Sequence, residues 1–136
     1  MVMRPGLLDT STLILLDRVA DPGELPDIPS ISAVTLAELS VGPLVATNEV
    51  ERAARQAHLQ LAEADFDPIP FDSAAARAFA QVAHSLREAG RKPTARAFDA
   101  LIAATAISRD LPLHTCNPGD FAGIPQLDLR PVTVTA

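Results

Sequence analysis

The chain has little of several residue types, and each shortage argues against a class of protein. Its single cysteine, Cys116, permits no internal disulfide, and its cysteine and histidine residues show no zinc-ligand spacing. Trp and Tyr are absent and aromatic residues make up only 4% of the chain, so stacking on aromatic side chains is not expected to be the main way of holding a ligand. No segment approaches the roughly 20 apolar residues that a membrane-spanning helix needs.

Basic residues are also scarce. Eleven Lys and Arg face seventeen Asp and Glu, and the net charge of −6 argues against broad capture of nucleic acid unless the acids surround bound cations. The start, MVMRPGLLD, lacks the apolar stretch of a signal peptide, so we expect a cytoplasmic protein. A length of 136 residues with 48% hydrophobic content fits one globular domain over residues 1–136.

Strand patterns alternate with helix patterns along the whole chain. We expect helices at residues 12–18, 35–42, 48–65, 73–89 and 95–109, and a Pro-rich loop at 21–29. Expected strands are residues 6–9, 30–34, 66–71, 111–115 and 127–132. Such alternation predicts an α/β protein, a three-layer α/β/α domain with a mainly parallel central sheet.

Two aspartates follow predicted strands, at the edge where parallel sheets bind ligands. Asp9 ends the apolar run of the first strand, and Asp120 comes shortly after the fourth. Each has a structural alternative. Asp9 could simply cap the next helix. Asp120 could stabilise a short helix that Asn117 caps and Pro118 begins, by reaching back to the cap.

Two further acids lie on predicted helices among apolar neighbours. Glu38 has Val34, Thr35 and Val41 at helical spacing, and Asp99 lies on an almost uncharged helix with only Arg96 near it. Burying a carboxylate without a partner is costly, so such positions suggest a site. The alternatives are a satisfied buried acid at Glu38 and a structural ion pair between Asp99 and Arg96.

Several carboxylates at one sheet edge would repel one another near neutral pH unless cations bind there. Carboxylate ligands suit Mg²⁺ or Mn²⁺, and such an ion can activate a water molecule to hydrolyse a phosphodiester. The densest basic run is formed by Arg87, Arg91, Lys92 and Arg96. These side chains could contact phosphates beside Asp99, or they could be an ordinary solvated surface.

The stretches LLDTSTL, SAVTLAELSVG, FDALIAATA and LHTCNPGDF, in this order, closely resemble the PIN-domain family and above all its VapC-type toxins. The resemblance covers about residues 6–130. It implies a small Mg²⁺-dependent endoribonuclease that acts on RNA as the toxin of a toxin–antitoxin pair. It also implies a homodimer that a VapB-like antitoxin protein silences.

The resemblance assigns roles to particular residues. Asp9, Glu38 and Asp99 match the family's metal-binding acids, Ser11 matches a hydroxyl that helps to set the first acid, and Thr115 matches a hydroxyl near the fourth. Many relatives have an aspartate where this chain has Asn117. Either Asp120 supplies the fourth acid or the site has three acids. The alternative function is a PIN-like protein that inhibits only by binding RNA or a partner.

Overall fold

A four-stranded parallel sheet forms the centre of the molecule in the computed structural model, which describes residues 2–135. Its strands lie in the order β2-β1-β3-β4 and all pair in parallel. Their bounds are β1 Pro5–Leu8, β2 Ile28–Ser30, β3 Leu113–Thr115 and β4 Leu129–Pro131. The two central strands, β1 and β3, therefore come from opposite ends of the chain.

Five α-helices pack on the two faces of this sheet. They are α1 Thr10–Ile14, α2 Ala33–Val41, α3 Glu49–Asp65, α4 Ser73–Glu88 and α5 Ala97–Ser108. Neighbouring residues of β1 point to opposite faces: Leu7 belongs to a core with α4 and α5, and Leu8 to a second core with α1, α2 and α3. The predicted three-layer α/β/α architecture with a parallel sheet is confirmed.

The long helices begin where their capping residues predict. Asn48 accepts a 2.8 Å hydrogen bond from the backbone N–H of Glu51 at the start of α3, and Asp72 accepts a 3.0 Å bond from that of Ala75 at the start of α4. The first helix is shorter than expected, because α1 ends at Ile14 and a 3₁₀ turn, Leu16–Arg18, follows it. In residues 2–135 we find no helix with the length and apolar character of a membrane span.

The second strand lies earlier than predicted. The expected strand at residues 30–34 is wrong, because Ser32 caps α2 by accepting a 3.2 Å hydrogen bond from Thr35 N and helix begins at Ala33. The strand is β2, of which Ile28 and Pro29 lie in the segment expected to be a loop and only Ser30 in the expected strand. It tolerates Pro29 because it lies at the edge of the sheet, where a missing N–H donor costs little.

The expected strand at residues 66–71 does not form. Only Ile69 pairs, through one isolated bridge to Ser32, with its N–H donating to Ile31 O and its carbonyl accepting from Ala33 N. Pro68 and Pro70 flank it and have no N–H to donate, so the ladder cannot extend. The sheet consequently has four strands instead of five.

Candidate active site

Asp9 lies at the carboxyl end of β1 and is almost fully buried, with 3% of its surface exposed. It is the N-cap of α1, since Oδ1 accepts a 3.2 Å hydrogen bond from the backbone N–H of Thr12, and the Thr12 hydroxyl donates to the same oxygen. Oδ2 accepts from the hydroxyls of Ser11, at 3.2 Å, and Thr115, at 2.8 Å. Asp9 therefore does cap α1. The three hydroxyl donors hold its carboxylate more firmly than helix capping alone requires.

The hydroxyls around Asp9 are themselves held from the loop after β3. Backbone N–H groups of that loop donate to two of them, Cys116 N to Thr12 Oγ1 at 3.0 Å and Asn117 N to Thr115 Oγ1 at 2.9 Å. The side-chain amide of Asn117 donates to Ser11 Oγ at 2.9 Å. This closed network orients Ser11 and Thr115 toward Asp9. The role of the Asn117 side chain in it is to hold the hydroxyl of Ser11 in place.

Glu38 faces Asp9 from α2 and is half-buried. Its Oε1 accepts a 2.7 Å hydrogen bond from Thr10 Oγ1. Since that hydroxyl gives its only hydrogen to Glu38, the Thr35 hydroxyl, 3.0 Å away, must donate to Thr10. Burial raises the pKa of the Glu38 carboxyl above its ordinary value, the Thr10 bond opposes the shift, and the charge of Asp9 adds to it.

Asp99, in the first turn of α5, shows the strongest electrostatic effect in the cluster. Burial and then the charges of Asp120, Glu38 and Asp9 raise the pKa of its carboxyl to about 6, against an opposing effect of Arg96. Arg96 Nη1 lies 3.8 Å from Asp99 Oδ2 and 3.1 Å from Asp120 Oδ1. The expected ion pair between Arg96 and Asp99 is thus present, but Asp120 is the nearer partner.

Asp120 lies in the 3₁₀ helix Pro118–Phe121, as the third residue after Asn117. The expected capping arrangement does not form, because Asn117 makes no side-chain cap bond and its amide points to Ser11 instead. Asp120 points toward Arg96, and its charge acts on Asp99. Asn117 and Asp120 therefore lie in different parts of the cluster. Asn117 contacts the hydroxyls around Asp9, and Asp120 lies on the side of α5.

The donor set has the chemistry of a magnesium site, being made of carboxylate and hydroxyl oxygens. Within residues 2–135, however, no three Asp, Glu, His or Cys side chains form a ready metal cage. Mg²⁺ commonly keeps several waters and takes only one or two carboxylates from the protein, so this arrangement fits that ion better than one that needs a full cage of protein ligands.

Two clefts adjoin the acid cluster, and Arg96 lines both. One, of about 340 Å³, is lined by Glu38, Thr94, Arg96, Ala97, Phe98 and Asp99. The other, of about 230 Å³, is lined by Leu86, Arg91, Lys92, Arg96, Ala100, Asp120 and Ile124. Three members of the predicted basic run therefore share one cleft, while Arg87 is exposed on the last turn of α4 outside it.

Sequence reasoning missed four residues of this region. Thr10 and Thr12 come one and three residues after Asp9, and Thr35 lies one helical turn before Glu38. Hydroxyl residues at these spacings from the two acids were the signal that could have identified them. Phe98 was also missed. It stands beside Asp99 with 56% of its surface exposed, although the apolar pattern of α5 suggested burial.

The family model of the PIN domain matches residues 7–125. The chain belongs to the PIN-domain family. Among curated PIN relatives, ribonuclease VapC5 of Mycobacterium tuberculosis is 42% identical over 121 residues, which cover 88% of this chain and 87% of that protein. Ribonuclease VapC4 of the same organism is 33% identical over 131 residues, covering 95% and 98%.

Solved structures agree with this membership. The chain is similar to a crystal structure of VapBC-5, a member of the VapBC family of toxin–antitoxin systems from M. tuberculosis, with a TM-score of 0.82, 38% identity and coverage of 94% of this chain and 98% of that one. VapBC2 from Rickettsia felis, crystallised with a promoter DNA fragment, shares the fold at a TM-score of 0.72 and 21% identity, covering 93% and 98%. The predicted resemblance to VapC-type PIN proteins is confirmed.

Proposed function

We propose that this PIN domain is a Mg²⁺-dependent endoribonuclease, the toxin of a VapB/VapC-type module, and that Mn²⁺ can replace Mg²⁺. The observation that carries the proposal is the clustering of four carboxylates: burial and then the charges of the other three acids raise the pKa of Asp99 to about 6. A divalent cation would relieve the repulsion among these acids. Relatives named ribonuclease VapC, 42% and 33% identical to this chain, support the choice of RNA as substrate.

Asp9, Glu38 and Asp99, with Asp120 as the fourth acid, would hold the cation, one or two of them directly and the others through its bound waters. Such an ion would lower the pKa of a bound water and polarise a phosphoryl oxygen. The chain's own contribution is to fix its ligands: four donors hold the oxygens of Asp9, and Thr10 holds Glu38. Ser11, Thr115 and Asn117 are supporting residues, because they act on Asp9 and not on the substrate.

RNA would lie over the two clefts beside Arg96. Arg91, Lys92 and Arg96 line one of them, and exposed Phe98 lines the other next to Asp99. Arg91 already donates to the carbonyls of Ala122, at 3.1 Å, and Gly119, at 3.3 Å, so Lys92 is better placed to reach phosphates, and Arg96 would first have to leave Asp99 and Asp120. Arg87, outside this cleft, is expected to contribute least.

The relatives also suggest how the activity is controlled. VapBC-5 is a toxin–antitoxin system, and a VapB-like antitoxin is accordingly the partner that we propose for this chain. We further propose that the chain acts as a homodimer in the cytoplasm, where its RNA substrate is found.

Cleavage of total cellular RNA by the purified, antitoxin-free protein tests the proposal. We expect cleavage with Mg²⁺, none with EDTA, and at least a hundredfold slower cleavage by Asp99→Asn. Exposed Asp67, remote from the described contacts of the cluster, supplies the matched control, and Asp67→Asn should cleave at the wild-type rate. Cleavage that persists in EDTA, or in folded Asp99→Asn, would contradict the proposed mechanism.

A second candidate is a PIN protein that binds RNA or a partner without cleaving it. Asn117 favours it, since that side chain carries no charge and is engaged with Ser11. This protein would bind RNA in the same experiment but leave it intact at every Mg²⁺ concentration. Asp120→Asn tests the fourth position, because loss of this charge should raise the Mg²⁺ concentration needed for cleavage if Asp120 serves the cation.

A further inference from the structure

Arg96 occupies a position that helix formation alone disfavours. It is the last residue of the 3₁₀ helix Pro93–Arg96 and the N-cap of α5, yet its side chain makes no capping bond. The N-terminus of a helix carries partial positive charge and favours anions, so a guanidinium there gains nothing from the helix. A local rule broken in this way is often a mark of function.

The contacts of Arg96 explain its presence. Within residues 2–135 it is the one basic side chain that pairs with two acids, as Nη1 approaches both Asp120 and Asp99. Its side chain is 51% exposed, against 33% for Asp120 and 27% for Asp99. The guanidinium therefore covers the two carboxylates from the solvent side, where a cation would also arrive.

A guanidinium and a divalent cation compete for the same carboxylate oxygens. Asp99 and Asp120 would lose Arg96 as a partner when a cation binds, and the positive charge of the ion would repel the guanidinium. The released side chain remains at the wall shared by the two clefts. A phosphate group is the partner that its planar, two-pronged set of donors suits best.

We propose that Arg96 is an exchangeable counter-ion, which pairs with Asp99 and Asp120 in the metal-free protein and transfers to an RNA phosphate when a divalent cation binds. The inference rests on the proposed function for its ligands, a divalent cation and RNA. It adds an order of events that the proposed function lacks: cation binding makes the arginine available, so metal and RNA bind cooperatively.

Calorimetric titration with Mn²⁺, without RNA, tests the first half. We expect Arg96→Ala to bind Mn²⁺ about threefold to tenfold more tightly than wild type, because its competitor is gone. Arg96→Lys should lie between the two. Arg109→Ala is the matched control, since Arg109 pairs with Asp72, the N-cap of α4, and its loss changes the net charge equally. It should bind as wild type does.

RNA binding tests the second half. Affinity for a labelled single-stranded RNA is measured in EDTA and in Ca²⁺, and a gel verifies that the RNA remains intact. We expect Arg96→Ala to lose affinity in Ca²⁺ and little in EDTA, where the wild-type arginine is already engaged. Equal loss in both conditions, or no loss, would overturn the exchange.

Neither readout depends on cleavage, so the two proposals can fail separately. Tighter Mn²⁺ binding by Arg96→Ala supports the counter-ion even if no RNA is cut. Unchanged or weaker Mn²⁺ binding by a folded Arg96→Ala overturns the counter-ion even if the wild type cleaves RNA. If neither wild type nor Arg96→Ala binds Mn²⁺, both the counter-ion and the metal-dependent nuclease are wrong.

Discussion

The hydroxyl of Thr115 donates a 2.8 Å hydrogen bond to Oδ2 of Asp9, a residue 106 positions earlier in the chain. Both residues are buried, and both lie at the carboxyl ends of the central strands. The pairing of β1 with β3 therefore brings the first acid of the site and its fixing hydroxyl together.

Thr115→Val removes that hydroxyl while keeping the shape of the side chain. It leaves Asn117 N without a partner and Asp9 Oδ2 with only the hydroxyl of Ser11, and we expect a loss of about 1–3 kcal/mol in the free energy of unfolding. RNA cleavage should fall more than tenfold, because Asp9 is held less firmly. Urea unfolding and a cleavage assay measure the two effects.

Thr105→Val is the control for that experiment. Thr105 is equally buried, but its hydroxyl donates to Leu101 O, four residues earlier in α5. Such a hydrogen bond within one helix contributes little to the free energy of unfolding. This variant should cleave RNA normally. Equal losses of activity in both variants would show that general packing, and not the Asp9 contact, is responsible.

Asp99→Asn should stabilise the metal-free protein at pH 7.5. A folded pKa of about 6 lies above the unfolded value near 4, so ionised Asp99 destabilises the fold at neutral pH by at most about 3 kcal/mol. The penalty shrinks as the pH falls below 6, and the difference from wild type should disappear only near the unfolded pKa of about 4. Thermal unfolding of both proteins from pH 4 to 7.5 measures it.

The comparison with Asp99→Asn is needed because other groups titrate in the same range. Burial lowers the pKa of His114 below its ordinary value, which favours the fold at higher pH and opposes the effect of Asp99. Subtracting the variant from the wild type removes that contribution. A difference that is constant with pH would contradict the raised pKa of Asp99.

Mg²⁺ should raise the melting temperature of the wild type at pH 7.5. Binding to the folded state alone stabilises it by about 2.7 kcal/mol at a hundredfold excess over Kd. The gain should shrink at pH 5, where protons already relieve the repulsion, and it should vanish in Asp9→Asn. Sodium chloride at equal ionic strength separates specific binding from screening, and an equal gain with sodium would exclude a metal site here.

Phe98→Ala should weaken RNA binding without reducing stability. The ring is exposed beside Asp99, and stacking of one base on an aromatic ring contributes about 1–3 kcal/mol, which is about fivefold to a hundredfold in affinity. Phe71→Ala is the matched control, because Phe71 is a surface phenylalanine outside both clefts. Fluorescence anisotropy with labelled RNA compares them, and equal affinities would remove Phe98 from the RNA site.

Features with a local cause could be predicted from the sequence. The start of α3 follows from Asn48 and that of α4 from Asp72, since each helix carries its cap and its apolar period within one segment. The strands β3 and β4 lie within the predicted ranges 111–115 and 127–132, although each has only three residues, whereas Pro29 disguised β2 as a loop.

In the candidate site, too, some features could be predicted from local sequence and others could not. Asp9 stood out at a strand end, and the Arg96–Asp99 pair was visible because the two are three residues apart. The shorter contact of Arg96 with Asp120 and the turn of Asn117 toward Ser11 depend on how distant segments meet. No local pattern encodes those contacts.

The pairing of β3 with β1 has a consequence for the synthesis of the chain. Asp9 leaves the ribosome early, but its fixing hydroxyl, Thr115, and the fourth acid of the proposed site, Asp120, come more than a hundred residues later. A nascent chain cannot assemble the proposed site until β3 and the turn after it have been translated. On the proposed function, the ribosome is therefore not exposed to the activity of its own product while the first hundred residues are made.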